Sequence, residues 1–167
     1  MNATQHDQRY QYAIDLQGDS TANKVLNFVG HGKKVLELGC GPGAMTRVMR
    51  ERLDCQVSAL EIDPELAQLA EPYCEKLYLA DLETFDFAST FANQRFDVAI
   101  AADVLEHLKD PWACLRQVRE VLQPDGCLIV SIPNVAHNAI IAQLLAGRFP
   151  YQDKGLLDYT HLRFFTR

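Results

Sequence analysis

The sequence holds no CxxC pair, no internal repeat, no low-complexity tract and no apolar run near the ~20 residues that cross a membrane. Those absences exclude a zinc ribbon, a thioredoxin-like redox motif, a solenoid and a membrane span. Cysteine is sparse. Cys40, Cys55, Cys74, Cys114 and Cys127 are scattered and odd in number, so they read as small buried apolar residues of a reducing compartment. A basic surplus is also missing: 16 Lys and Arg face 22 Asp and Glu, for a formal charge of −6. Nucleic-acid affinity rests on phosphate neutralisation, so no nucleic-acid partner is expected. The opening stretch "MNATQHDQRYQ" is polar and shows no signal peptide. A cytoplasmic protein with no membrane partner is the expectation.

What is present suits one globular domain. A chain of 167 residues with 48% apolar content buries enough surface to need no disulfide or metal staple. Residues 1–19 read as an N-terminal arm and 20–167 as the domain. Ala22, Val25, Leu26 and Val29 fall on one helical face that opens at Ser20 and ends at Gly30 and Gly32. Strand and helix signals then alternate. Strands are expected at Val35–Gly39, Val57–Ile62, Leu77–Ala80, Phe96–Ala102 and Cys127–Ile132. Helices are expected around Met45–Met49, after Asp63-Pro64, after Asp110-Pro111, and over Asn138–Ala146. Leu66, Leu69, Ala70 and Tyr73 form one apolar stripe, and Trp112, Leu115, Val118 and Leu122 another. "QPDG" reads as a turn. The alternation implies an α/β, Rossmann-like parallel sheet with helices on both faces. Ligands of such sheets bind beyond the carboxyl ends of the strands.

The decisive loop is "VLELGCGPGA", residues 35–44. Taken alone, Gly39-Cys40-Gly41-Pro42-Gly43-Ala44 fits the dinucleotide fingerprint G-x-G-x-x-A. The charges oppose that reading. Glu37 stands two residues before the first glycine. A carboxylate ~4 Å from a phosphate costs about 4 kcal/mol at an effective dielectric near 20. Pro42 removes a backbone N–H where a phosphate needs donors. S-adenosylmethionine has no phosphate and carries an ammonium and a sulfonium, which suit an acidic, glycine-lined pocket. Glu61, at the end of the second strand, fits ribose hydroxyls of either ligand. Asp81, after the third, fits an adenine amino group. Cys40 reads as close-packed filler in the loop rather than as a nucleophile.

Together "VLELGCGPG", "LEIDPE", "LYLADLE", "FDVAIAADVLEHLKDP" and "LQPDGCLIVSIPN" resemble, in order and spacing, the successive motifs of class I S-adenosylmethionine-dependent methyltransferases. The resemblance runs from about residue 33 to 134. It implies that Glu37, Gly39, Cys40, Gly41 and Gly43 lie near the methionine part, and that Glu61 meets the ribose. Ile62 and Asp63 would lie beside the adenine, Asp81 and Leu82 at its edge, and Ala102 and Asp103 would face the cofactor after the fourth strand. The Asn/Asp-Pro-Pro-Tyr/Phe signature of enzymes that methylate amide or exocyclic amino nitrogens is replaced by "AADVL", which argues against such substrates. The stretch from "SIPNVAHN" to "THLRFFT" resembles uncharacterised members associated with sugar-transfer genes. It implies a small, glycan-linked hydroxyl or amine as acceptor.

A general base belongs beyond the sulfur. His137 and His107 rank first for that role, ahead of His161, and no metal is expected. The family's sheet has seven strands and five are visible here, so the domain is expected to be truncated at its C-terminus. The fifth strand would then present an unpaired edge, through which a homodimer is expected. Two further readings stay open: a module that binds S-adenosylmethionine or S-adenosylhomocysteine without turnover, and, less favoured, an NAD-dependent oxidoreductase.

Overall fold

The computed structural model describes Ile14 and residues 18–166. The expected arm, residues 1–19, lies outside the described residues except for Ile14, Gly18 and Asp19. The chain runs α1 (Thr21–Val29), β1 (Lys34–Leu38), α2 (Ala44–Leu53), β2 (Gln56–Glu61), α3 (Pro64–Ala70), a 3-10 turn (Glu71–Tyr73) and β3 (Lys76–Leu79). It continues with α4 (Phe87–Thr90), β4 (Phe96–Ala102), a second 3-10 turn (Leu105–His107), α5 (Pro111–Val121), β5 (Leu122–Ser131) and α6 (Asn138–Leu145). No helix of the described residues is long and apolar enough to cross a membrane.

The five strands form one parallel sheet in the order β3-β2-β1-β4-β5. The expected α/β, Rossmann-like sheet is therefore present. Chain order reverses between β1 and β4, and a ligand crevice opens at that switch point. Because side chains alternate along a strand, each face has its own core. Val35, Val57, Val98 and Ile100 pack with α1 and α2. Leu36, Leu38, Leu60, Ala99 and Ala101 pack with α5 and with Phe87, Phe91 and Phe96. Phe91 and Phe96 meet edge to face there at 5.0 Å between centroids, and Phe87 tilts against Phe91.

Local chemistry sets the helix starts. Ser20 caps α1 through the Asn23 amide, Asp63 caps α3 through Glu65 and Leu66, and Asp110 caps α5 through Ala113. Pro64 and Pro111 occupy first positions, where a missing N–H costs nothing.

Four expectations need correction. In α5 the buried face is Pro111, Cys114, Val118 and Val121, while Trp112 is 60% exposed and meets Phe165 edge to face. In α3 the buried residues are Ala67 and Ala70, and Leu69 is exposed. Cys127 is exposed and Cys74 half-buried, so only Cys40, Cys55 and Cys114 are core thiols. The "QPDG" turn sits inside β5: Leu122 pairs with Phe96 and the next pair is Cys127 with Val98, so residues 123–126 bulge out of the ladder.

Candidate functional site: a cleft at the switch point

A cavity of about 640 Å³ opens at the carboxyl ends of the strands. Its walls come from the glycine loop, the ends of β2 and β4, residues 80–83, and the segment around Thr160 and Leu162. Drug-sized ligands occupy cavities of ~300–1,000 Å³.

The three loop glycines have different tasks. Gly43 opens α2 with φ +80°, and a Cβ there would lie 2.8 Å from the Ala70 backbone, so it is where the loop packs on α3. A Cβ on Gly39 would meet Val104 at 2.8 Å. Gly41, with φ +54°, has nothing within 4 Å of such a Cβ and faces the cavity. There a side chain would compete with a ligand.

The loop's backbone donors are already in use. Gly39 and Cys40 donate to the Leu60 carbonyl, Gly43 to the Cys40 carbonyl, and Gly41 to Glu61 Oε2 at 2.7 Å. Pro42 has no N–H. No amide of residues 39–43 remains for a pyrophosphate.

Glu61 is 7% exposed and lines the cavity. Besides Gly41, it accepts at Oε1 from the Ile62 and Asp63 amides, both at 2.9 Å. A carboxylate has about four acceptor positions, so one stays available to a hydroxyl. Glu37 lies behind the loop, 1% exposed, and does not line the cavity. Its Oε2 accepts from Thr46 Oγ1 at 2.6 Å while Oε1 has no partner. Burial pushes its carboxyl up to about 7, opposed by the Thr46 bond and reinforced by Glu61.

Gly39, Cys40, Gly41, Glu61, Ile62, Asp81, Leu82, Ala102, Asp103 and His107 all line the cavity. Ile62 is 65% exposed there, an apolar wall with no protein cover. Asp103 takes a left-handed φ of +53° and accepts from Ser131 Oγ at 3.0 Å, which turns the chain sharply as it leaves β4. Glu37, Gly43, Asp63 and His137 do not line the cavity. Asp63 is engaged in capping α3, and His137 Nδ1 accepts from the Ala139 amide at 3.3 Å as the cap of α6. A hydrogen bond with the Cys74 thiol, together with burial, holds Cys40 far above the usual thiol range. That leaves it protonated packing material.

His107 lines the cavity. Its Nδ1 lies 3.3 Å from the Thr160 carbonyl. A carbonyl can only accept, so Nδ1 carries the proton and Nε2 is left as the acceptor. Burial and the neighbouring His161 lower its pKa, keeping the ring neutral. His161 is buried, with its ring centroid 4.8 Å from that of His107. Sequence reasoning ranked His161 last and passed over Glu106. Only the "LEH" spacing hinted at the pair, because His161 arrives from a distant segment.

A family model for a methyltransferase domain matches residues 6–167. The chain belongs to that methyltransferase family, within the class I S-adenosylmethionine-dependent superfamily. S-adenosylmethionine is the cofactor of that class. The ubiquinone biosynthesis O-methyltransferase of Xanthomonas campestris pv. campestris (strain B100) is 34% identical over 106 residues, covering 62% of this chain and 44% of the relative. Its counterpart in Actinobacillus pleuropneumoniae serotype 5b is 28% identical over 125 residues, covering 71% and 53%. The chain thus spans about half the length of the curated relatives it matches. Among solved structures, the N-terminal domain of EvdMO1 with S-adenosylhomocysteine bound is similar at TM-score 0.53 and 29% identity, covering 63% of this chain and 47% of that one.

Proposed function

We propose that this chain binds S-adenosylmethionine in the switch-point cleft and transfers its methyl group to a hydroxyl of a small, glycan-linked acceptor. The observation that carries the reading is the glycine loop itself. Its amides are spent inside the protein, and the Glu61 carboxylate that takes the Gly41 amide faces the cavity. That arrangement repels a pyrophosphate and attracts the cationic end of S-adenosylmethionine. The cavity's charged lining repeats the bias, with Glu61, Asp81, Glu83 and Asp103 against Lys109.

The remaining contacts follow from position. Glu61 offers its free acceptor site to a ribose hydroxyl. Ile62 and Leu82 form apolar walls for adenine, and Asp81 accepts from its amino group. Gly39, Cys40, Gly41, Ala102 and Asp103 take the methionine part. Glu37 and Gly43 support the loop from behind, and Asp63 holds α3 beside it. Orientation in such a cleft supplies up to ~7–11 kcal/mol of the barrier for in-line transfer. His107 is the base of choice. Its Nε2 is free to take the acceptor's proton as the methyl arrives, and the ring is neutral for the purpose. His137 is committed to the α6 cap.

Oxygen is preferred over nitrogen as the acceptor atom because of the relatives. Two carry O-methyltransferase in their names. The EvdMO1 domain, 27% identical in a second structure at TM-score 0.54, was crystallised in the presence of S-adenosylhomocysteine and D-fucose. The test is release of S-adenosylhomocysteine from labelled cofactor with phenolic and deoxysugar acceptors. Transfer to a hydroxyl that falls about 10²–10⁴-fold in His107→Ala supports the reading. Reduction of NAD by the same panel, without methyl transfer, overturns it.

A further inference from the structure

Next to the cleft, three ligand-type side chains converge, and two of them, Glu106 and His161, are buried without the partners that burial demands. Glu106 is 1% exposed, and neither carboxylate oxygen has a hydrogen-bond partner. His161 is 9% exposed, with Nδ1 equally unpartnered. His107 completes the group, and one ligand atom from each of the three lies within 4.8 Å of the others. Burying a carboxylate with no donor is costly, and native proteins rarely leave one so.

From this we infer that Glu106, His107 and His161 form a binding site for a divalent first-row transition ion such as Zn²⁺. Two imidazoles and a carboxylate are the mixed nitrogen and oxygen set that zinc and its neighbours take, and a set less suited to Mg²⁺. His107 is already arranged as a ligand. Donation from Nδ1 to the Thr160 carbonyl is the outer bond that orients ligating histidines and leaves Nε2 for the ion. Bonds of ~2.0–2.1 Å would draw the three donor atoms together by about 1–1.5 Å.

The ion would also join two parts of the fold. Glu106 and His107 belong to the turn after β4. His161 belongs to the segment whose Leu162 and Arg163 amides donate to the Glu106 carbonyl, at 2.7 and 3.0 Å. Thr160 and Leu162 of that segment line the cleft. A cation here clamps the cleft's far wall and takes the Nε2 atom that serves as base in the ion-free protein. An ion-bound water would then inherit the proton-accepting role.

The experiment is titration of the metal-stripped protein with Zn²⁺ and, separately, Co²⁺. It is followed by calorimetry and by the visible spectrum of cobalt. One ion per chain with micromolar or tighter affinity is expected, without a thiolate charge-transfer band. Affinity should fall tenfold or more in both Glu106→Gln and His107→Ala. His107 is on the surface, so its variant folds even if the buried Glu106 variant does not, and circular dichroism checks both. Binding that the two folded variants leave unchanged, or that Cys127→Ser abolishes, would overturn the inference. So would the absence of stoichiometric binding.

Discussion

At the scale of single residues, the account turns on two glutamates with different surroundings. Glu61 touches three loop amides and keeps one acceptor position toward the cavity. Removing it loosens the loop and deletes the ribose contact together. Glu61→Ala should weaken S-adenosylhomocysteine binding at least tenfold, by calorimetry, while thermal unfolding shows the fold retained. Glu37 is a buried carboxyl whose pKa rises from 4.5 to about 7 on folding. Its proton is held more tightly in the folded chain than in the unfolded one. Stability from this group is therefore full below pH 4.5 and declines as pH rises to about 7, by on the order of 3 kcal/mol in all. Glu37→Gln removes that slope. Urea unfolding at pH 5 and pH 8 should show the variant gaining on the wild type at the higher pH, and an equal difference at both would contradict the burial argument. The glycine loop and the acidic strand ends were legible because their logic is local in sequence. The Glu106–His161 meeting was not, since nothing local ties residue 161 to the turn after β4.

At the scale of elements, caps and close approaches set the geometry. Gly43 combines a left-handed backbone with a Cβ position 2.8 Å from Ala70 Cα. Gly43→Ala should cost on the order of 2 kcal/mol and lower Tm by about 4–8 °C. Gly41→Ala, with open space around it, should spare Tm comparatively and lose ligand affinity instead. Asp110→Ala removes the α5 cap and should cost about 1 kcal/mol in denaturant unfolding. The expected α5 stripe failed for a definable reason. Trp112, Leu115, Val118 and Leu122 and the observed Pro111, Cys114, Val118 and Val121 both recur at helical spacing. The sequence pattern weighted the large ring, whereas the Asp110-Pro111 cap sets which side of the first turn faces the sheet. Helix starts were legible at Ser20, Asp63 and Asp110 because capping depends on one residue and its next three. The bulge at 123–126 was read as a turn but not as part of a strand. Its register depends on Phe96, on another element.

At the scale of the whole molecule, sheet order decides where the site lies and which edge is open. Strand-helix alternation was enough to anticipate a parallel sheet and to place the cleft beyond its carboxyl ends. It could not say which side chains reach the cleft, and Glu37, Gly43, Asp63 and His137 stand outside it. Among the described strands β3 and β5 each pair on one side only, and Val130 in β5 and Ile132 just beyond it are exposed. Such an edge favours association with a second copy. Light scattering across a concentration series should show a dimer that a lysine at Val130 weakens, and a monomer throughout would contradict this. Calorimetric titration with S-adenosylhomocysteine, with NAD as the comparison, reads the identity of the cleft's ligand. Micromolar binding of S-adenosylhomocysteine alone, weakened by Glu61→Ala, is the expected result. Binding of NAD in its place, or S-adenosylhomocysteine binding indifferent to Glu61, would contradict it.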